Sequence, residues 1–109
     1  MPTDPITKGT ALFWSIAETL YSDPKVKEGT MMGFKCLRSD GAFFATLDHR
    51  SGALIAKLPA DRVQTLIADG TVRPFAPARR VFKEWVSIPT ISRPLWTKLL
   101  TEAKAFATK

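Results

Sequence analysis

Apolar residues recur along this chain with two different periods, and the switches between them mark out its elements. From Lys8 to Ser22, Leu12, Ile16 and Leu20 return every four residues with Phe13 and Ala17 beside them. That spacing puts one apolar stripe on a helix. Asp23-Pro24 closes it, because the residue before a proline is pushed out of the α region. Lys25 to Gly29 reads as a short polar connection. The period then falls to two. Thr30–Arg38 alternates Met32, Phe34 and Cys36 against Met31, Gly33 and Lys35. Ala42–Asp48 sets Phe43, Ala45 and Leu47 against Phe44 and Thr46, and Ala53–Leu58 is a third run. Ser39-Asp40-Gly41 and His49-Arg50-Ser51-Gly52 separate these runs with turn-forming residues, so three strands of an antiparallel meander are expected.

Pro59 opens a second, shorter helix through Asp69, with Val63, Leu66 and Ile67 inward and Gly70 at the left-handed C-terminal cap. Thr71–Arg80 is rich in Pro and Arg and holds at most a short strand before Pro77. Val81–Ile88 is a strand of ambiguous phase. Phe82, Val86 and Ile88 share a parity with Glu84, and Trp85 takes the other, so either both faces are covered or a bulge changes the parity. Ser92 caps a last helix with Leu95, Leu99, Ala103 and Phe106 in its stripe, reinforced by Trp96, Leu100 and Ala107. The order is α-β-β-β-α-β-β-α. Short turns exclude parallel neighbours, so a two-layer α+β domain is expected, with an antiparallel sheet and its helices packed on one face. One domain over residues 1–109 accommodates this, with residues 1–6 as a flexible arm.

Composition removes several function classes. The lone Cys36 cannot form an intramolecular disulfide, and no stretch approaches the ~18 apolar residues of a membrane span or has the form of a signal peptide. A cytoplasmic protein without membrane association is expected. One Cys and one His, His49, cannot close a zinc site, and the scattered glycines make no phosphate-binding fingerprint, so neither metal nor cofactor is expected. His49 sits in a polar turn without an orienting acid on its own face, and Cys36 lies among apolar neighbours. No residue set proposes a reaction, and the expectation is a non-enzyme. A deep pocket gathering Glu84, His49 and several arginines would reverse it.

The residues also resemble a known group of small bacterial domains. The signals are Met32-Gly33-Phe34, then Gly41-Ala42-Phe43-Phe44-Ala45 across a hairpin, and Leu54–Leu58 leading to Arg62. Gly70 through Pro74-Phe75, then Lys83-Glu84-Trp85-Val86 and Pro89, complete the set. In this order they resemble the N-terminal domain of the competence regulator TfoX/Sxy and the related MmcQ/YjbR-like proteins, over Thr30 to Ala107. The resemblance implies the same α+β fold, a DNA-binding role for some relatives and no established enzymatic activity.

Charge adds the last lead. Met1–Asp69 carries eight Lys/Arg and eight Asp/Glu, whereas Gly70–Lys109 carries eight basic residues and only Glu84 and Glu102, so the net +6 belongs to the last third. Arg73, Arg79, Arg80 and Lys83 form an acid-free basic loop suited to phosphates, with Phe75 placed to stack a base. Nucleic acid is therefore one expected partner. The alternative is a protein-interaction or self-associating domain, a homodimer included. It would use Trp14 and Tyr21, which lie off the first helix's stripe, whereas Trp85 and Trp96 are expected in the core.

Overall fold

The computed structural model describes residues 5–31, 34–48, 51–75 and 82–107. Helix α1 (Pro5–Leu20) leads into strands β1 (Val26–Met31), β2 (Phe34–Ser39), β3 (Ala42–Leu47) and β4 (Leu54–Lys57). Helix α2 (Ala60–Ala68), strands β5 (Arg73–Phe75) and β6 (Phe82–Ile88), and helix α3 (Arg93–Ala107) follow. All strand pairs are antiparallel, in the order β1-β2-β3-β4-β6-β5. The two-layer α+β architecture is as expected, and the expected order is kept with one strand added at its front.

That added strand is β1. Lys25–Gly29, expected to be a polar connection, enters the sheet because an edge strand needs backbone partners rather than apolar side chains. Only Val26 of its described side chains is buried, and the strand pairs from Val26 opposite Ser39 to Met31 opposite Phe34. The expected single strand Thr30–Arg38 is thus divided between β1 and β2. The expected arm is also shorter than residues 1–6. Pro5 and Ile6 already belong to α1, where proline's fixed φ suits a first turn, and residues 1–4 lie outside the described residues.

Local chemistry sets the other boundaries as read. Asp40 and Gly41 both take positive φ, 54° and 86°, as a two-residue turn between β2 and β3 requires. Gly70 has φ 83°, and its N–H donates to the Ile67 carbonyl to close α2. The Ser92 hydroxyl accepts from the Leu95 N–H at the start of α3.

One cluster joins the three helices to one side of the sheet. Phe13, Ile16 and Ala17 of α1, Val63 and Leu66 of α2, and Trp96, Leu99, Leu100 and Ala103 of α3 meet the sheet residues there. Leu37, Ala45, Ala56 and Val86 stand side by side in one row across four strands. The helices are tied to each other on this side. Arg62 donates to both Glu102 carboxylate oxygens at 2.8 and 3.2 Å, joining α2 to α3. Lys104 of α3 reaches Asp23 at 3.1 Å, and Arg93 donates to the Ser15 hydroxyl. Trp96 is fully buried, with its indole N–H donating to the Thr90 carbonyl at 2.8 Å.

The register between β2 and β3 breaks the strict alternation expected there. Leu37 lies opposite Ala45 but Arg38 lies opposite Phe43, so Phe44 is one residue too many. Such a bulge changes the parity of the strand. Phe44 and Ala45 both enter the helix-side core, and Phe43 is delivered to the other face. Strand β6 resolves in a related way. Val86 and Ile88 face the helices, and Trp85, which pairs with Lys57, alternates to the far side. A register shift does occur, against β5 at Pro74/Phe75. Trp85, expected in the core, is therefore half-buried outside it, whereas Trp96 is core as expected.

Two expectations for stability follow. A Cβ on Gly9 of α1 would overlap the Gly52 carbonyl oxygen, so Gly9→Ala will lower stability. Its sign opposes the gain of about 1 kcal/mol that the exchange brings inside an unconstrained helix. Chemical denaturation of the two proteins reads the sign directly. Acid tests the turns. Asp23 is held below its ordinary pKa by the Lys25 backbone N–H and then by the Lys104 ammonium, and Asp69 by the Thr71 hydroxyl and N–H. A lowered folded pKa contributes stability that is complete above about pH 4 and lost as pH falls through the folded value. The melting temperature will drop on that acid limb, and Asp23→Asn with Asp69→Asn will flatten the drop.

Candidate nucleic-acid interface

Strand register assigns the side chains of the face opposite the helices. Its central row runs Gly29, Cys36, Thr46, Ile55, Ser87, Arg73 across all six strands. Beside it, Lys27 is opposite Arg38 and Arg38 opposite Phe43, and Lys57 is opposite Trp85. Four strands therefore each send one cation to this face: Lys27, Arg38, Lys57 and Arg73. Lys83 and Glu84 lie on β6 within the register shift between Val86 and Phe82, where alternation assigns no face, and Glu84 lines a cleft with Phe43 and Lys57. Glu28 has the opposite parity.

Lys35, Arg62 and Lys104 are ion-paired, to Glu28, Glu102 and Asp23, whereas Lys8, Arg93 and Lys98 of the helices have no ion pair among the described residues. None of the four on the far face has one either among the described residues. Lys27, Arg73 and Lys83 are exposed, and Arg38 and Lys57 are half-buried. Arg38 also carries a buried Nε–H with no hydrogen-bond partner. Such a donor costs about 1–3 kcal/mol, and more on a charged group, until an acceptor meets it.

Aromatic residues are interleaved with these charges. Phe43 and Trp85 are half-buried, and each stands directly across from a cation, Arg38 and Lys57 respectively. Gly29 makes the first pairing possible. A Cβ there would come within 3.1 Å of Arg38 Cδ and Nε and of the Phe43 ring edge. The missing side chain lets the arginine stem and the ring meet over β1.

The residues expected to form a basic loop are distributed differently. Arg73 is a strand residue of β5 on the far face, and Lys83 is an exposed strand residue of β6. Arg79, Arg80 and His49 lie outside the described residues. Phe75, at the end of β5, is half-buried. Trp14 is half-buried against the core with its ring edge-on to Phe13 at 4.9 Å, so it widens the buried side of α1. Tyr21 is 37% exposed just beyond that helix, and Ile6, 40% exposed, sits at its other end. At 1.5 Å per residue these lie about 22 Å apart, too far to make one patch. Sequence reading had passed over Lys27, Arg38, Lys57 and Phe43, and only the strand alternation of Arg38 and Lys57 hinted at them.

An open cleft of about 260 Å³ at one end of the sheet is lined by Ala42, Phe43, Lys57, Glu84, Phe106 and Ala107. It gathers Glu84 with a lysine but no arginine. Among the described residues no cluster of His, Cys, Asp and Glu could hold a metal ion, and no helix is long and apolar enough to cross a membrane. No family model matches the chain, and no curated protein or solved structure does.

Cys36 is fully buried in the central row, and burial pushes its thiol above the ordinary pKa, with Arg38 acting weakly the other way. It will stay unmodified by a thiol reagent in the native protein and react once denaturant is added, since only the exposed thiolate is nucleophilic.

Proposed function

We propose that this protein is a non-catalytic nucleic-acid-binding domain whose contact surface is the sheet face opposite the helices. The observation that carries the reading is the gathering there of Lys27, Arg38, Lys57 and Arg73, none of them in an ion pair among the described residues. Unpaired cations on a low-dielectric surface concentrate positive potential, and a phosphate backbone is the polyanion that such a spread of charges suits. Binding would release the counterions condensed on those phosphates.

Arg79 and Arg80, outside the described residues, keep a place in the proposal because they add two positive charges to the sequence between Arg73 and Lys83. The resemblance to TfoX-type and MmcQ/YjbR-type domains supports the same partner. Protein interaction through α1 is less favoured, because Trp14 is engaged with the core and Ile6 and Tyr21 do not adjoin.

Fluorescence anisotropy with labelled oligonucleotides tests the proposal. Contact with three to five phosphates gives a slope of log K against log salt of about −2 to −3.5. Lys57→Glu with Arg73→Glu will weaken binding at least about tenfold. No binding at about 50 mM salt, or unchanged binding by the folded double variant, removes the proposal.

A further inference from the structure

We infer that the nucleic acid taken by this face is single-stranded, with bases stacked on Trp85 and Phe43 while the neighbouring cations hold the backbone. The inference rests on the interface proposed above and names its ligand more narrowly.

Size argues first. Six strands at about 4.8 Å spacing make a face roughly 24 Å wide. The major groove of duplex DNA is about 12 Å wide and admits a helix or a two-stranded ribbon. A six-stranded face cannot enter it, and no described helix projects beyond this side of the sheet. A duplex could touch the face only through one line of phosphates. A single strand can lie across it and reach the cations of four strands.

The pairing of residue types argues second. Arg38 stands opposite Phe43, and Lys57 opposite Trp85. Each ring thus has a positive charge as its cross-strand neighbour, at the roughly 5 Å typical of such pairs. A nucleotide has the same two parts, a flat base and a phosphate. In a duplex the bases stack on each other, and both rings would be left without a task. With a single strand every base has a free π-face, so stacking operates without sequence preference.

Third, these rings have no structural assignment on the far face. Trp85 and Phe43 belong neither to the core cluster nor to the partly buried residues packed on it. The unpartnered Arg38 Nε–H, beside Phe43, offers a donor that a phosphate or base oxygen would satisfy.

DNA and RNA single strands share this chemistry, and separate probes distinguish them. Labelled oligo(dT), oligo(rU) of equal length and a mixed-sequence DNA hairpin duplex are titrated with the full chain and with Trp85→Ala, Trp85→Phe and Phe43→Leu. Circular dichroism confirms that each variant is folded. One or both single strands will bind at least about tenfold tighter than the duplex, and Trp85→Ala will lose roughly tenfold on the single strand only. Its salt slope will be unchanged, because phosphate contacts remain. Trp85→Phe, which keeps a ring, will retain most of the affinity and rescues the reading should Trp85→Ala fail to fold. Phe43→Leu will lose affinity in the same selective way. Equal or tighter duplex binding overturns the inference while leaving the interface standing, and so does a folded Trp85→Ala variant with unchanged affinity. Failure of all three probes to bind at low salt removes the interface itself, and the inference with it.

Discussion

A sheet covered on one side must sort its side chains by parity, and here a single extra residue decides the sorting. Across β2 and β3, Phe44 is inserted opposite Leu37, so two consecutive residues, Phe44 and Ala45, both enter the core beneath the helices. Without the insertion, strict alternation would send Phe43 inward with Ala45 and turn Phe44 outward. Either register buries one phenylalanine, about 1.5–3 kcal/mol of transfer free energy, and the bulge selects Phe44 for that place. It also brings Phe43 beside Arg38 on the far face. Core packing and surface composition are set by the same local event.

The two faces then differ in how charge is handled. On the helix side, Arg62–Glu102 and Lys104–Asp23 bridge separate elements, and Lys35–Glu28 bridges β2 to β1. Pairs this accessible contribute at most about 1 kcal/mol each, so their larger consequence is to cancel charge locally. On the far face Lys27, Arg38, Lys57 and Arg73 are in no ion pair among the described residues, and Glu84 approaches them only at the cleft it lines with Lys57.

What could be read from sequence was what neighbours along the chain decide. The caps at Gly70 and Ser92, the Asp40-Gly41 turn and the stripes of α1, α2 and α3 depend on residues within a few positions, and they stand where their chemistry puts them. Strand β1 was missed because Val26–Met31 is held by backbone bonds to β2, and hydropathy carries no record of those. Trp85 was assigned to the core because its apolar neighbours in sequence point the other way in space. The bulge at Phe44 exists only relative to a partner strand, so Phe43-Phe44-Ala45 looked like ordinary alternation.

Charge shows most clearly why a linear tally falls short. The first 69 residues are neutral in sum, which directed attention to the last 40. Yet Lys27, Arg38 and Lys57 come from that neutral stretch. Of its described acids, Glu18 lies on α1, Asp23 and Asp40 in turns, Glu28 on the opposite face of β1, and Asp61 and Asp69 at the two ends of α2, while Asp48 follows β3 two residues after Thr46. Neutrality along the chain became separation across the sheet, because strand alternation sends Lys27 and Glu28, adjacent in sequence, to opposite faces. The basic last third supplies Arg73 to a surface that the neutral part had already begun. Function in such a domain is best sought per face, since a ligand meets a face and never a segment.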